Sequence, residues 1–497
     1  MADFHQTGVV ATLHNFGTMD LERLEGELAW YSKERPIALI LPSLFSELQG
    51  EALKKIVEDL KGAKYIREVV ITLGEASEED FRYAKRFFSV LPQRTMIIWN
   101  DGERIQSIYK AVEEAGLTTG EAGKGRSVWI AWGYVLSQHQ IEVIALHDCD
   151  ILTYNRGLLA RLCYPATNPS FDYEYCKGYY SRVTDRLHGR VTRLLVTPLI
   201  RALQKILGYL PLLVFLDSFR YPLAGEFSMH ADLARVTRIP ADWGLEVGLL
   251  AEIYRNVSPK RVCQVDIIDR YEHKHQPLSP DDPSKGLLKM GIDICKSLFR
   301  NLASEGVVFN EGVFNSLIAT YVGTAHDMLR RYEDDAAING LVFDRHAESL
   351  AVETFTKAIK IAAETFLRDP SQWSQFLLFF GLLALYVLNL PRFNLDQLQP
   401  YWHSMIALLN LGAACLTLAT LTTRFVFPQL SLEGRRIWIL GLLPLERKVI
   451  LWGKFLFATA GTFLISGTLI ALSDLFLKLP LWALAAHLVV TLCVCCG

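Results

Sequence analysis

The sequence predicts an α/β fold with a doubly wound, mostly parallel sheet, and three observations point there. Apolar, β-branched runs alternate with helical patterns through the first 150 residues, the arrangement that builds parallel sheets with helices on both faces. The last of these runs, Ile141-Glu142-Val143-Ile144-Ala145, arrives at Leu146-His147-Asp148-Cys149-Asp150. Acids at the C-terminal edge of a buried strand lie where open α/β sheets bind ligands. No GxGxxG follows the first strand, which weighs against a dinucleotide fold.

In chain order, residues 1–31 read as a polar extension with a short amphipathic helix around Leu21 to Tyr31. It lacks the apolar stretch of a signal peptide. Ile37 to Leu41 is a buried strand, and Pro42 is expected to stop its ladder. Leu53, Ile56, Val57 and Leu60 recur at helical spacing after it. A strand over Glu68 to Leu73, a helix from about Glu78 to Phe88 and a strand over Thr95 to Trp99 follow, then a helix from Val128 to Ser137. Tyr173 to Tyr180 alternates like a half-exposed strand, and Gly286 to Leu367 turns helical, with Leu298, Leu302, Leu317, Tyr321 and Phe355 at core spacing.

Asp148 and Asp150 are the first chemical candidates. Side chains at i and i+2 leave a strand on one face, so an extended backbone lets both carboxylates meet a hard divalent cation, magnesium or manganese bridging a diphosphate. A capped strand-to-loop turn is the plainer alternative. Gly123-Lys124-Gly125-Arg126 offers close backbone approach and a lysine near a helix start, which suit a phosphate or a base carbonyl; a solvated loop lysine is the plainer alternative. Its spacing is not that of Walker A, which disfavours a P-loop NTPase. Leu187-His188-Gly189-Arg190-Val191-Thr192-Arg193 supplies glycine, arginine and hydroxyl together, able to clamp a phosphorylated acceptor, or simply a helix N-terminus with surface arginines. Downstream, Tyr271 to Pro277 carries two histidines, either of which can close a metal site.

Composition bounds the rest. A chain of 497 residues has room for two or three domains, and 51% hydrophobic residues with a mean hydropathy of +0.20 point to a membrane part. The net charge of −2, with basic residues spread along the chain, argues against nucleic acid as a partner. Nine cysteines without paired CxxC units indicate a reducing compartment and no disulfide framework.

From about Pro36 to Leu367 the sequence resembles the glucosyl-3-phosphoglycerate synthases and their mannosylglycerate synthase relatives, retaining glycosyltransferases of the GT-A fold. Pro42-Ser43-Leu44 resembles the nucleotide-binding turn after the first strand, Gly123-Lys124-Gly125 the lysine that contacts uracil, and Asp148-Cys149-Asp150 the DxD motif. Gly189-Arg190-Val191-Thr192 resembles the acceptor loop. Pro222-Leu223-Ala224-Gly225-Glu226 and Gly244-Leu245-Glu246-Val247-Gly248-Leu249-Leu250 resemble the sugar-side segments, and His273 the metal histidine. The chain departs from the family pattern where Phe45 and Ser46 precede Glu47, and where His275 stands at a position commonly held by an amide.

The resemblance implies an Mg2+- or Mn2+-dependent hexosyltransferase, with UDP-glucose as the favoured donor and 3-phosphoglycerate as acceptor. Asp148, Asp150 and His273 are the expected metal residues. Pro42, Leu44, Glu47, Lys124, Asp148, Leu223, Ala224, Gly225 and Glu226 are expected at the nucleotide sugar, and Gly189, Arg190, Val191, Thr192 and His275 at the acceptor. Glu246 and Asp150 are the catalytic candidates, although an acid in a helix's first turn is also a plain dipole partner. The helical extension is expected to form homodimers and to carry no chemistry. GDP-mannose with the same or an unphosphorylated acceptor is the alternative donor system.

Past Trp373 come four apolar runs, Phe376 to Leu390, His403 to Thr423, Phe455 to Leu472 and Leu479 to Gly497, each near the roughly 20 residues that cross a bilayer. Arg424, Arg435, Arg436, Arg447 and Lys448 crowd one loop, which places the N-terminal enzyme on the cytoplasmic face of the membrane. Arg424 to Arg435 also resembles a segment of ABC-type exporter permeases, and an ending inside the fourth run leaves a permease fragment. The expected organisation is therefore an extension (1–31), a GT-A domain (32–285), a helical extension (286–370) and an all-α transmembrane segment (371–497). A transport component with a nucleotide-sugar-binding soluble module is the competing function.

Overall fold

Strand propensity and helix caps set the order of elements. β1 (Ala11–Leu13) and α1 (Leu21–Tyr31) come first. Asp20 caps α1 by accepting from the Arg23 amide, and Leu24 and Leu28 form its buried stripe. The apolar runs become β2 (Ile37–Leu44), β3 (Ile66–Gly74), β4 (Arg94–Trp99) and β5 (Val143–Leu146). They are joined through α2 (Glu51–Leu60), α3 (Glu78–Phe88), α4 (Glu103–Glu114) and α5 (Lys124–Ser137). Next come α6 (Arg156–Thr167), β6 (Tyr175–Tyr180), α7 (Thr197–Leu207), α8 (Pro211–Asp217), β7 (Phe227–His230), α9 (Ala231–Val236), α10 (Leu245–Asn256) and β8 (Val262–Ile268). This computed structural model describes residues 6, 8–273, 276–368, 405, 408–409, 411–412, 447–477 and 479–496.

The eight strands lie in the order β1-β8-β6-β7-β5-β2-β3-β4, parallel throughout except where β7 runs against β5 and β6. Alternation along the strands divides the core between the two faces. Ala38, Ile40, Val70, Ile144 and Leu146 point one way, while Ile37, Leu39, Leu41, Val69, Ile71, Val143 and Ala145 point the other. This is the doubly wound, mostly parallel sheet that the sequence predicts.

Three local expectations change. Pro42 does not end its strand, because β5 pairs with β2 only as far as Ile40 and the proline continues in register with Thr72 on the other side. β6 is buried along its whole length rather than half-exposed, since β7 and β8 flank it. The N-terminal residues are not merely an extension, for β1 completes the sheet beside β8.

α11 (Gly286–Ser304), α12 (Glu311–Ile338) and α13 (Arg345–Leu367) form the expected helical part. Leu298, Phe299, Leu317, Tyr321 and Phe355 join the same buried cluster as Ala38 and Ile40, so Met1–Arg368 is one compact unit. Truncating a buried Phe such as Phe299 or Phe355 to Ala costs about 3–5 kcal/mol in such a core. These helices are therefore part of what holds the sheet.

Asp369–Gly497 is the second unit. Phe376 to Leu390, Arg424, Arg435, Arg436 and the permease-like stretch lie outside the described residues, as does nearly all of His403 to Thr423. The later runs fold as α14 (Arg447–Phe476) and α15 (Leu481–Cys496). The expected transmembrane segment is not found: among the described residues no helix is long and apolar enough to cross a membrane. The 16 residues of α15 reach about 24 Å at helical rise, against a hydrocarbon core of about 30 Å. In α14, Asp474 is buried against His487, whose Nδ1 lies 2.9 Å from the carboxylate.

Candidate active site

The C-terminal ends of the central strands open onto a cavity of about 370 Å3. α5 starts at Lys124 itself, four residues earlier than its apolar pattern. It can do so because Gly125 packs against the Pro240 carbonyl with no room for a side chain. Lys124 Nζ lies 2.6 Å from Asp148 Oδ1 and 3.2 Å from Glu246 Oε1, the latter in the first turn of α10. Burial works against the Lys124 charge, but Asp148 and Glu246 outweigh it and raise the ammonium above its ordinary value. Burial likewise opposes the Asp148 carboxylate, and Lys124 more than offsets it, so Asp148 is lowered.

Gly225 leaves the space for this pair. A Cβ there would stand 2.6 Å from Asp148 Oδ2 and 2.8 Å from Lys124 Nζ. The peptide before it is held from beneath by Lys177 of β6, which is 1% exposed and whose Nζ donates to the Ala224 carbonyl at 2.7 Å. Burial pushes the Lys177 ammonium down to about 8. Glu226, 0% exposed, accepts from the Tyr271 hydroxyl at 2.5 Å, and Tyr271 stacks on Tyr180 with ring centroids 3.7 Å apart. Burial, then the nearby Asp148 charge, raise the Glu226 carboxyl.

The expected nucleotide-sugar residues divide accordingly. Lys124, Asp148, Leu223 and Gly225 line the cavity, whereas Ala224 and Glu226 are buried behind it and brace it. Pro42 and Leu44 lie at the end of β2 and Glu47 in the 3-10 turn Phe45–Gln49, none of them on the cavity wall.

β5 has ended before Asp148, so strand alternation does not aim the two acids. Asp148 turns to Lys124, while Asp150 Oδ2 lies 3.4 Å from His273 Nδ1. Among the described residues no group of three His, Cys, Asp or Glu side chains is arranged to hold a metal. The Asp150 oxygen and His273 nitrogen nevertheless fit a divalent cation that takes its remaining ligands from diphosphate oxygens and water, as magnesium and manganese do. His275 lies outside the described residues.

Gly189, Arg190, Val191 and Thr192 all line the same cavity. Gly189 has φ +72°, a left-handed conformation suited to glycine, and a Cβ there would be 3.1 Å from the Tyr221 hydroxyl. Arg190 Nε donates to Glu348 Oε1 at 2.7 Å, and Arg193 to Glu348 Oε2 at 2.9 Å. Glu348 belongs to α13 and is 5% exposed. Phe343 and Asp344, just before α13, also line the cavity. The helical extension therefore contributes to the site, contrary to expectation, by fixing the acceptor-loop arginine.

Lys177, Arg182 and Glu348 are among the site residues that sequence reasoning passed over. A lysine inside a strand later found buried on both faces was a usable signal. Glu348 gave none, since it meets Arg190 only through the fold, 158 positions away.

A family model described as "Putative ATP-binding cassette" matches residues 328–497. The glucosyl-3-phosphoglycerate synthase of Persephonella marina is 50% identical over 370 residues, covering 74% of this chain and 92% of that protein. That of Methanococcoides burtonii is 40% identical over 374 residues, covering 74% and 91%. The crystal structure of the Mycobacterium tuberculosis glucosyl-3-phosphoglycerate synthase in complex with Mg2+ and uridine diphosphate is 18% identical, with a TM-score of 0.45 over 61% of this chain and 89% of that one. With 50% identity over an alignment that spans 92% of the Persephonella protein, the chain belongs to the glucosyl-3-phosphoglycerate synthase family.

Proposed function

We propose that this chain transfers a glucosyl unit from UDP-glucose to 3-phosphoglycerate with retention of configuration, giving glucosyl-3-phosphoglycerate. One observation carries the reading: the Lys124, Asp148 and Glu246 cluster and the Gly189 to Thr192 loop with its arginine line one and the same cavity. Such a cavity suits a donor and a phosphorylated acceptor held side by side.

In this reading Lys124 contacts the uracil and Asp148 the ribose, the ion pair fixing both side chains before the donor arrives. Asp150 and His273 would hold Mg2+ or Mn2+, which when bound offsets the charge that develops on the departing diphosphate. Glu246 accepts from Lys124 and offers its second oxygen to a hydroxyl of the sugar or acceptor. Arg190, oriented by Glu348, steadies the acceptor's negative charge. Leu223 and Trp243 on the cavity wall limit water around the reacting carbon.

A donor-by-acceptor screen on the purified chain tests this. UDP-glucose and GDP-mannose are each offered with 3-phosphoglycerate or glycerate, in magnesium and in chelator. The expected result is transfer from UDP-glucose to 3-phosphoglycerate that chelation abolishes. Faster transfer from GDP-mannose, or none to 3-phosphoglycerate, would overturn the assignment.

A further inference from the structure

The charged side chains on the cavity wall are not equivalent. Lys124 is paired with Asp148 and Glu246, Arg186 with Asp185, and Arg190 with Glu348. Arg182, two residues beyond β6, lines the same cavity but has no carboxylate within salt-bridge distance among the described residues. One terminal nitrogen donates to the Tyr221 hydroxyl at 3.1 Å, and its Nε is buried without a hydrogen-bond partner. Keeping a largely desolvated guanidinium without a carboxylate partner is costly unless a ligand supplies the missing anion to the nitrogens that face the cavity. The Tyr221 hydroxyl also marks where that anion belongs. It lies against Gly189, whose absent side chain would meet it, so Arg182 stands beside the acceptor loop.

We infer that Arg182 is the anchor for the phosphate of the acceptor, binding it through charge-assisted hydrogen bonds from the guanidinium edge that no protein carboxylate occupies. Arg190, with Nε committed to Glu348, then acts beside it as a second, prearranged donor. This rests on the proposed transfer to a phosphorylated acceptor and adds which residue selects the phosphate.

Calorimetric titration of the full chain with 3-phosphoglycerate, glycerate and UDP tests the inference without relying on turnover. Arg182→Gln should weaken 3-phosphoglycerate by roughly tenfold to a hundredfold, the range for a lost hydrogen bond to a charged group. UDP and glycerate affinities should stay within about twofold, since neither places a phosphate at Arg182. Arg182→Lys, which keeps the charge without the fork, should fall between wild type and Arg182→Gln, and it carries the test if the glutamine variant fails to fold. Unchanged 3-phosphoglycerate affinity in both variants, equal losses for UDP, or no binding of 3-phosphoglycerate by wild type would each overturn the inference. Phosphate-selective binding lost with Arg182, in a chain that transfers no sugar, would leave the inference standing and refute the transferase reading instead.

Discussion

Gly225→Ala is a small change whose effect can be worked from the site. The added methyl would stand 2.6 Å from Asp148 Oδ2 and 2.8 Å from Lys124 Nζ. Ordinary non-bonded contact is about 3.5 Å, so the Asp148 carboxylate must retreat by about 0.9 Å and the ammonium with it. Both obstructing atoms are the ends of side chains, so the backbone and core need not shift. Displacement of about 1 Å in positioning groups costs on the order of a hundredfold in rate, or about 2.7 kcal/mol of transition-state stabilisation. The variant should therefore melt within a few degrees of wild type while kcat/KM for UDP-glucose falls about a hundredfold. Coupled detection of released UDP gives the kinetics, and a thermal melt gives the stability. A variant that folds normally and keeps kcat/KM within about threefold would refute the claim that the Lys124 and Asp148 pair positions the donor.

Asp150→Ala and His273→Ala should each abolish transfer while leaving the melting temperature nearly unchanged, because both side chains are partly exposed at the site; near-wild-type turnover of either at low magnesium would remove it from the metal site. Glu348→Ala leaves two arginines without their buried partner and should cost about 3 kcal/mol, the lower end for a broken buried ion pair because Arg190 is partly exposed. Urea unfolding measures that loss, and Glu348→Gln, which keeps the shape, should show chiefly a raised acceptor KM. Lys177 gives a pH signature: burial lowers it from 10.5 to about 8, so between those values the unfolded chain binds more protons than the folded one and stability rises with pH. Relative to Lys177→Met, wild type should gain roughly 3 kcal/mol across that window, and a flat difference would show that the buried lysine keeps its proton.

The central sheet was legible in the sequence because a strand buried on both faces must be apolar along its length. Ile37 to Leu41 and Val143 to Ala145 follow that rule without exception. β6 was misread because Tyr175, Lys177, Tyr179 and Tyr180 can be polar on paper yet lie buried, each depending on neighbours supplied by β7, β8 and the Ala224 carbonyl. Pro42 looked like a stop because pairing on one side only is a property of β5's length, not of the proline. Of the motif residues, Lys124, Asp148, Gly189 and Gly225 line the cavity while Pro42, Leu44 and Glu47 do not, and no motif tells how a side chain faces. Asp148 and Asp150 are two positions apart in sequence, and their partners Lys124 and His273 decide which way each carboxylate turns. Of the apolar runs, the one from Leu479 folds into a helix of only 16 residues, and among the described residues no helix is long and apolar enough to cross a membrane.

Proton NMR of a reaction mixture containing the purified chain, UDP-glucose, 3-phosphoglycerate and magnesium tests the central claim most directly, because it reads the bond formed and its configuration together. The account predicts a new α-anomeric signal that grows as the UDP-glucose anomeric signal decays, with the product still carrying its phosphate. A β-anomeric product, free glucose as the sole product, or no consumption of UDP-glucose would contradict it.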